Sequence, residues 1–112
     1  MKIFVAGPFS TKDKDLELKR VRTISKYCAD LFSQGITPVS ALLTGLKIAE
    51  YNNLPTDTKT WTKFSEDMVE GCDELHVLMI DGYDVSSGVL IEIEKAKLLN
   101  IPVIYIPYKL CN

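Results

Sequence analysis

The chain has 112 residues, enough for one domain with its own hydrophobic core, so a single domain over residues 1–112 is expected. Hydrophobic residues at 46% and charged residues at 25% fit a globular protein and argue against a disordered or fibrous chain. A net charge of −2 gives no general attraction for a nucleic acid polymer or an anionic membrane, and no apolar run approaches the ~20 residues that span a bilayer.

In chain order, Lys2-Ile-Phe-Val-Ala6 is a short apolar run stopped by Gly7-Pro8, the pattern of a fully buried strand. It runs straight into a loop and then charge, so no secretory signal is expected and a cytoplasmic location follows. The loop from Gly7 to Lys14 is glycine-led, hydroxyl-bearing and basic. Leu18, Val21, Ile24, Cys28, Leu31 and Phe32 then recur at three and four, predicting a helix with that apolar face, closed by Gly35. Ile36 to Ser40 leans to strand, and Pro38 places it at a sheet edge. Ala41 to Tyr51 predicts a weaker helix interrupted by Gly45. Asn52 to Asp57 is a turn-rich connector ending in capping residues. Thr58 to Glu70 is a third helix with Trp61, Phe64 and Met68 on one face. Leu75 to Ile80 is a strand, Ser87 to Asn100 a helix, and Ile101 to Ile106 a last strand. Cys28 and Cys72 read as small core residues of a reducing compartment, with no metal-like spacing among the three cysteines.

Strands that are apolar throughout and alternate with helices predict a parallel sheet covered on both faces, order 2-1-3-4. Ligands bind such sheets where the strand order reverses, outside the carboxyl ends. The loops Gly7–Lys14 and Asp81–Gly88 should therefore wall one crevice. Glu92 stands above it. At about 100° per residue it falls inside the apolar stripe of Val89, Ile93, Ala96 and Leu99, where an unpaired carboxylate is costly unless it is used. Nucleophile, general base and structural carboxylate tied to a nearby donor are all open readings. Ser86, Ser87 and Gly88 open the same helix, so they either cap it or hold an anionic or hydroxyl-bearing ligand on its free N–H groups. Phe9 and Tyr83, one in each loop, could stack a flat base between them, while Trp61 and Phe64 read as core residues of the third helix, Trp61 being placed where it could line one wall. Lys12, Lys14, Lys19, Arg20 and Arg22 form either a solvated helix face or a positive field at the site. The only histidine, His76, lies in a strand pattern and reads as a packing residue. No dinucleotide or P-loop motif follows the first strand.

The segments Val5-Ala-Gly-Pro-Phe-Ser10, Gly71-Cys-Asp73 and Ser86-Ser-Gly-Val-Leu-Ile-Glu-Ile-Glu-Lys-Ala96 resemble the nucleoside 2-deoxyribosyltransferase family, including its nucleotide N-glycosidase branch and small bacterial and phage relatives. The resemblance covers nearly the whole chain. It implies a flavodoxin-like three-layer sandwich with a parallel sheet of four to five strands, order 2-1-3-4(-5). It also implies a homodimer or higher homo-oligomer and a nucleoside or nucleotide substrate; no metal or other cofactor is expected, because no His/Cys/Asp spacing supports one. Glu92 matches the nucleophile that attacks the sugar C1′ and displaces the base, Ser86 and Gly88 match positions that hold the sugar or 5′-phosphate, and Gly7 with Ser10 match the first-strand loop. The basic residues Lys12, Lys14 and Arg20 tilt the expectation toward a 5′-monophosphate. Two departures stand out. Ser65 occupies the place of a helper aspartate, which Glu66 or Asp67 would replace after a small adjustment of the helix, Asp67 being the candidate. No histidine follows Ser40. A binding module without turnover is the alternative on the same fold.

Overall fold

The computed structural model describes residues 1–112. Four strands, β1 (Lys2–Ala6), β2 (Thr37–Val39), β3 (Glu74–Leu78) and β4 (Val103–Ile106), form one parallel sheet in the order β2-β1-β3-β4. Four helices flank it: α1 (Lys14–Ser33), α2 (Ala41–Ala49), α3 (Thr58–Val69) and α4 (Ser87–Leu98). The result is a flavodoxin-like sandwich with four strands rather than five.

The two central strands β1 and β3 are buried on both faces, whereas the edge strand β4 leaves Ile104 and Tyr105 exposed, so the expected cover on both faces holds for the centre of the sheet. Phe4, Ala6, Leu75 and Val77 point to one side, where Val69 of α3 and Val89, Ile93 and Ala96 of α4 cover them. Ile3, Val5 and Leu78 point to the other, under Ile24 and Leu31 of α1. β2 is an edge strand, so Pro38, opposite Ile3, removes a donor where none is needed on the outer side. β3 leaves the ladder at Leu78, two residues before the predicted end, although Ile80 beyond it stays buried.

Each helix begins on a polar cap, with Asp13, Ser40, Asp57 and Ser86 accepting from main-chain N–H groups of the first turns. At the other end of α1, Gly35 adopts φ +82°. Ile36 N–H then donates to the Leu31 carbonyl and Gly35 N–H to that of Phe32, the double closure that a left-handed residue permits. α2 runs unbroken through Gly45. A Cβ there would stand 3.3 Å from the Trp61 ring, so the glycine admits the neighbouring helix.

The apolar face predicted for α1 is corrected by the structure. Leu18 and Phe32 are 59% and 74% exposed, while Glu17, Arg20 and Thr23 are buried beside Ile24 and Leu31. The first turns of α1 lie against the polar loop after β1, not against the core, and Glu17 and Arg20 bond its backbone. Likewise Leu99, expected on the stripe of α4, is its half-exposed C-cap. His76 is held between the Tyr27 hydroxyl (2.7 Å) and the Glu74 carboxylate (2.9 Å), a packing role on the α1 face of the sheet.

Candidate active site

A cleft of about 230 Å³ opens at the carboxyl end of β1, where the chain order reverses between β2 and β3. The two expected loops meet there. Gly7, Phe9 and Ser10 come from the first, and Ser86, Ser87 and Gly88 from the start of α4. Two further walls come from α2 (Ala41, Leu42, Gly45, Leu46) and from α3 with its leading residues (Thr56, Asp57, Thr58, Trp61, Thr62, Ser65).

Glu92 is on the inner side of α4 between Val89 and Ala96, 8% exposed, and its side chain lines the cleft. No lysine, arginine or histidine lines the same space. Burial with no cation nearby pushes the carboxyl up to about 8, and the Ser65 hydroxyl beside it offsets part of the rise. At neutral pH the group is therefore mostly protonated, and it becomes a carboxylate in mildly alkaline solution. A carboxyl poised this way, in a cleft, is suited to nucleophilic or proton-transfer chemistry.

The α4 start combines a cap with open backbone. The Ser86 hydroxyl accepts from Val89 N–H at 3.3 Å, and Ser87 donates to the Thr58 hydroxyl at 3.3 Å, tying the N-termini of α4 and α3 together. A Cβ on Gly88 would meet nothing closer than the Ser86 hydroxyl at 3.9 Å, so packing within the fold does not demand glycine there. At Gly7 packing does. A Cβ would fall 2.8 Å from Ile24 Cδ1, so this glycine lets α1 approach β1.

Several expected site residues lie elsewhere. Tyr83 does not line the cleft. It sits in a 3-10 turn (Tyr83–Val85) that Gly82 enters at φ +94°, and it packs on the core and on Tyr105 at 6.4 Å between centroids. The aromatic surfaces facing the cleft are instead Phe9 and Trp61, the latter held by its Nε1–H on the Pro55 carbonyl at 2.7 Å. Asp67 is exposed and pairs with Lys63 at 2.8 Å, because two residues beyond Ser65 the helix has turned its side chain away. Lys12 is exposed outside the cleft, Lys14 pairs with Glu17 at 3.2 Å, and Arg20 is buried in bonds to the main chain. Asp73 braces the far end of the sheet by accepting from Lys2 N–H at 2.7 Å. Of the walls from α2 and α3, only Trp61 is expected from the sequence. The signal for the second was the hydroxyl series Thr58, Thr62 and Ser65, spaced four and three residues apart on one face of α3.

No group of three His, Cys, Asp or Glu side chains is placed to hold a metal ion, and no helix is long and apolar enough to cross a membrane. No curated protein matches the chain. Residues 1–107 match the family described as a domain of unknown function, DUF1937, and the chain belongs to that family.

Proposed function

Starting from a family whose domain carries no stated function, we propose that the protein cleaves the N-glycosidic bond of a nucleoside, with Glu92 as nucleophile, in the manner of the nucleoside 2-deoxyribosyltransferases that its motifs resemble. The observation that carries this reading is one buried carboxyl without a cation, facing a cleft that offers flat aromatic and aliphatic walls on one side and hydroxyls with a helix N-terminus on the other. In this reading the base lies against Trp61, Phe9 and Leu46, and the sugar lies over Glu92, Ser65 and the Ser86–Gly88 backbone.

The ionised Glu92 carboxylate attacks C1′ as the C1′–N bond breaks, and the bond's electron pair leaves with the base, which takes a proton from water. Water, or a nitrogen of a second base, then attacks C1′ of the glycosyl ester and returns the Glu92 carboxylate. The cleft carries two carboxyl groups, Asp57 and Glu92, and no cation, which favours an uncharged nucleoside over a 5′-monophosphate. Chromatography of deoxy- and ribonucleosides and their 5′-monophosphates after incubation with the protein tests the proposal. Free base from nucleosides, absent with Glu92→Ala, is the expected result. Base release that survives in Glu92→Ala overturns the nucleophile assignment.

Ser65 favours a second reading. The side chain facing Glu92 is a hydroxyl rather than a second carboxyl, and a hydroxyl is a far weaker acid for assisting departure of the base. Micromolar nucleoside binding with no product over many hours would identify a binding module that does not turn over its ligand.

A further inference from the structure

Arg20 is the residue that the fold and the proposed reaction leave unexplained. It lies in the second turn of α1, 6% exposed, and does not line the cleft. Its Nη1 donates to the carbonyls of Phe9 (3.0 Å) and Ser10 (3.3 Å), and its Nη2 to the carbonyl of Asp81 (3.0 Å). Its Nε is a buried polar atom with no partner. Burying a guanidinium against neutral carbonyls, with no ion-pair partner of its own, is costly, and an apolar side chain in such a place would often be at least as stable. Core stability is therefore a poor reason for Arg20 to be there.

Its bonds run to both walls. Phe9 and Ser10 belong to the first-strand loop and line the cleft, while Asp81 leads through Gly82 and the 3-10 turn to Ser86. A planar group with several donors in fixed geometry can hold three carbonyls from two loops at one separation, which a lysine cannot. The second loop is shaped around it, since a Cβ on Gly82 would stand 2.5 Å from Arg20 Nη2. Glu17, one turn earlier, holds the same first loop by accepting from Thr11 N–H at 3.1 Å. Within the two loops both side chains bond backbone only, Glu17 holding the Lys14 side chain besides, which leaves Phe9 and Ser10 free to face the cleft.

We infer that Arg20 is a positioning residue, a clamp that sets the distance between the two loop walls and so determines how well a nucleoside fits, without touching it. The role in ligand fit rests on the glycosidic reading; the clamp itself does not. The test combines hydrogen exchange with nucleoside affinity read from Trp61 fluorescence, in Arg20→Lys and Arg20→Met. The expected result is faster exchange in residues 7–13 and 81–88 together, unchanged exchange in β1 and β3, and nucleoside affinity weaker by about tenfold or more in both variants. Free guanidinium ion at millimolar concentration should restore loop protection in Arg20→Ala, while equal sodium chloride should not.

Exchange that rises in only one loop, or evenly through the whole chain, overturns the clamp, as does unchanged affinity for a nucleoside that the wild type binds. If the variants do not fold, the wild type decides: the two loops should open as one unit with the same dependence on denaturant, and independent opening refutes the clamp. Wild-type protein that binds no nucleoside, yet shows coupled loops that Arg20→Lys uncouples, refutes the substrate and leaves the clamp standing.

Discussion

Replacing Glu92 by glutamine should stabilise the protein at neutral pH, and the size of the gain follows from the site. The folded carboxyl is raised from 4.5 to about 8 by burial with no cation in the cleft. A group raised on folding favours the fold in its protonated form. Its contribution is complete below the unfolded value near 4.5 and is lost progressively as pH climbs toward 8. At a shift of this size, linkage puts the loss at about 3 kcal/mol by pH 7 and about 4 to 5 kcal/mol by pH 9, as orders of magnitude. Glutamine keeps the shape and carries no charge at any of these pH values. Urea unfolding of wild type and Glu92→Gln near pH 5, 7 and 9 measures the difference. The variant's advantage should grow with pH by a few kcal/mol over that range, whatever constant offset the amide introduces. An advantage that does not change with pH, or that shrinks, would show that the carboxyl is not held protonated in the fold and would remove the basis for assigning it a function.

Turnover should have the opposite dependence on pH, because the nucleophile is the ionised form. The kcat/KM for nucleoside cleavage should rise through an apparent pKa of about 8 and level off above it, and a maximum on the acid side would contradict the assignment. Trp61→Ala removes one flat wall, and nucleoside affinity measured by calorimetry should fall by about tenfold or more; an unchanged affinity would move the base elsewhere. Asp67→Asn should leave kcat/KM within about twofold of wild type, since the side chain points to solvent and pairs with Lys63. A large loss there would mean that α3 turns during catalysis.

The sheet was legible because its signals are local. Three apolar runs and one short strand-leaning segment, each punctuated by Gly, Pro or a capping residue, leave few topologies once crossovers are right-handed. Glu92 was legible for a related reason, a charge inside an otherwise apolar stripe. The apolar face of α1 was misread because Glu17 and Arg20 are buried through bonds to loop backbone, and such partners have no sequence signature. Leu18 and Phe32 fit the period just as well and are exposed. Proximity in sequence also misled at Tyr83, Lys12 and Asp67. Each lies within a few residues of a cleft-lining group, but a 3-10 turn, an exposed loop and a fraction of a helical turn direct their side chains elsewhere. Trp61 and Gly45 show the converse. A glycine in one helix and a tryptophan in another are ordinary separately, and only their contact makes them a wall.

The most direct test of the central claim is the intact mass of the protein quenched in acid during turnover of a deoxynucleoside at pH near 8.5, followed by peptide mapping. A population heavier by one deoxyribosyl group, carried on the peptide containing Glu92 and absent from Glu92→Gln, is the result expected of a glutamate nucleophile. Base release with no adduct on wild type, continuing undiminished in Glu92→Gln, would show that the bond is broken without Glu92.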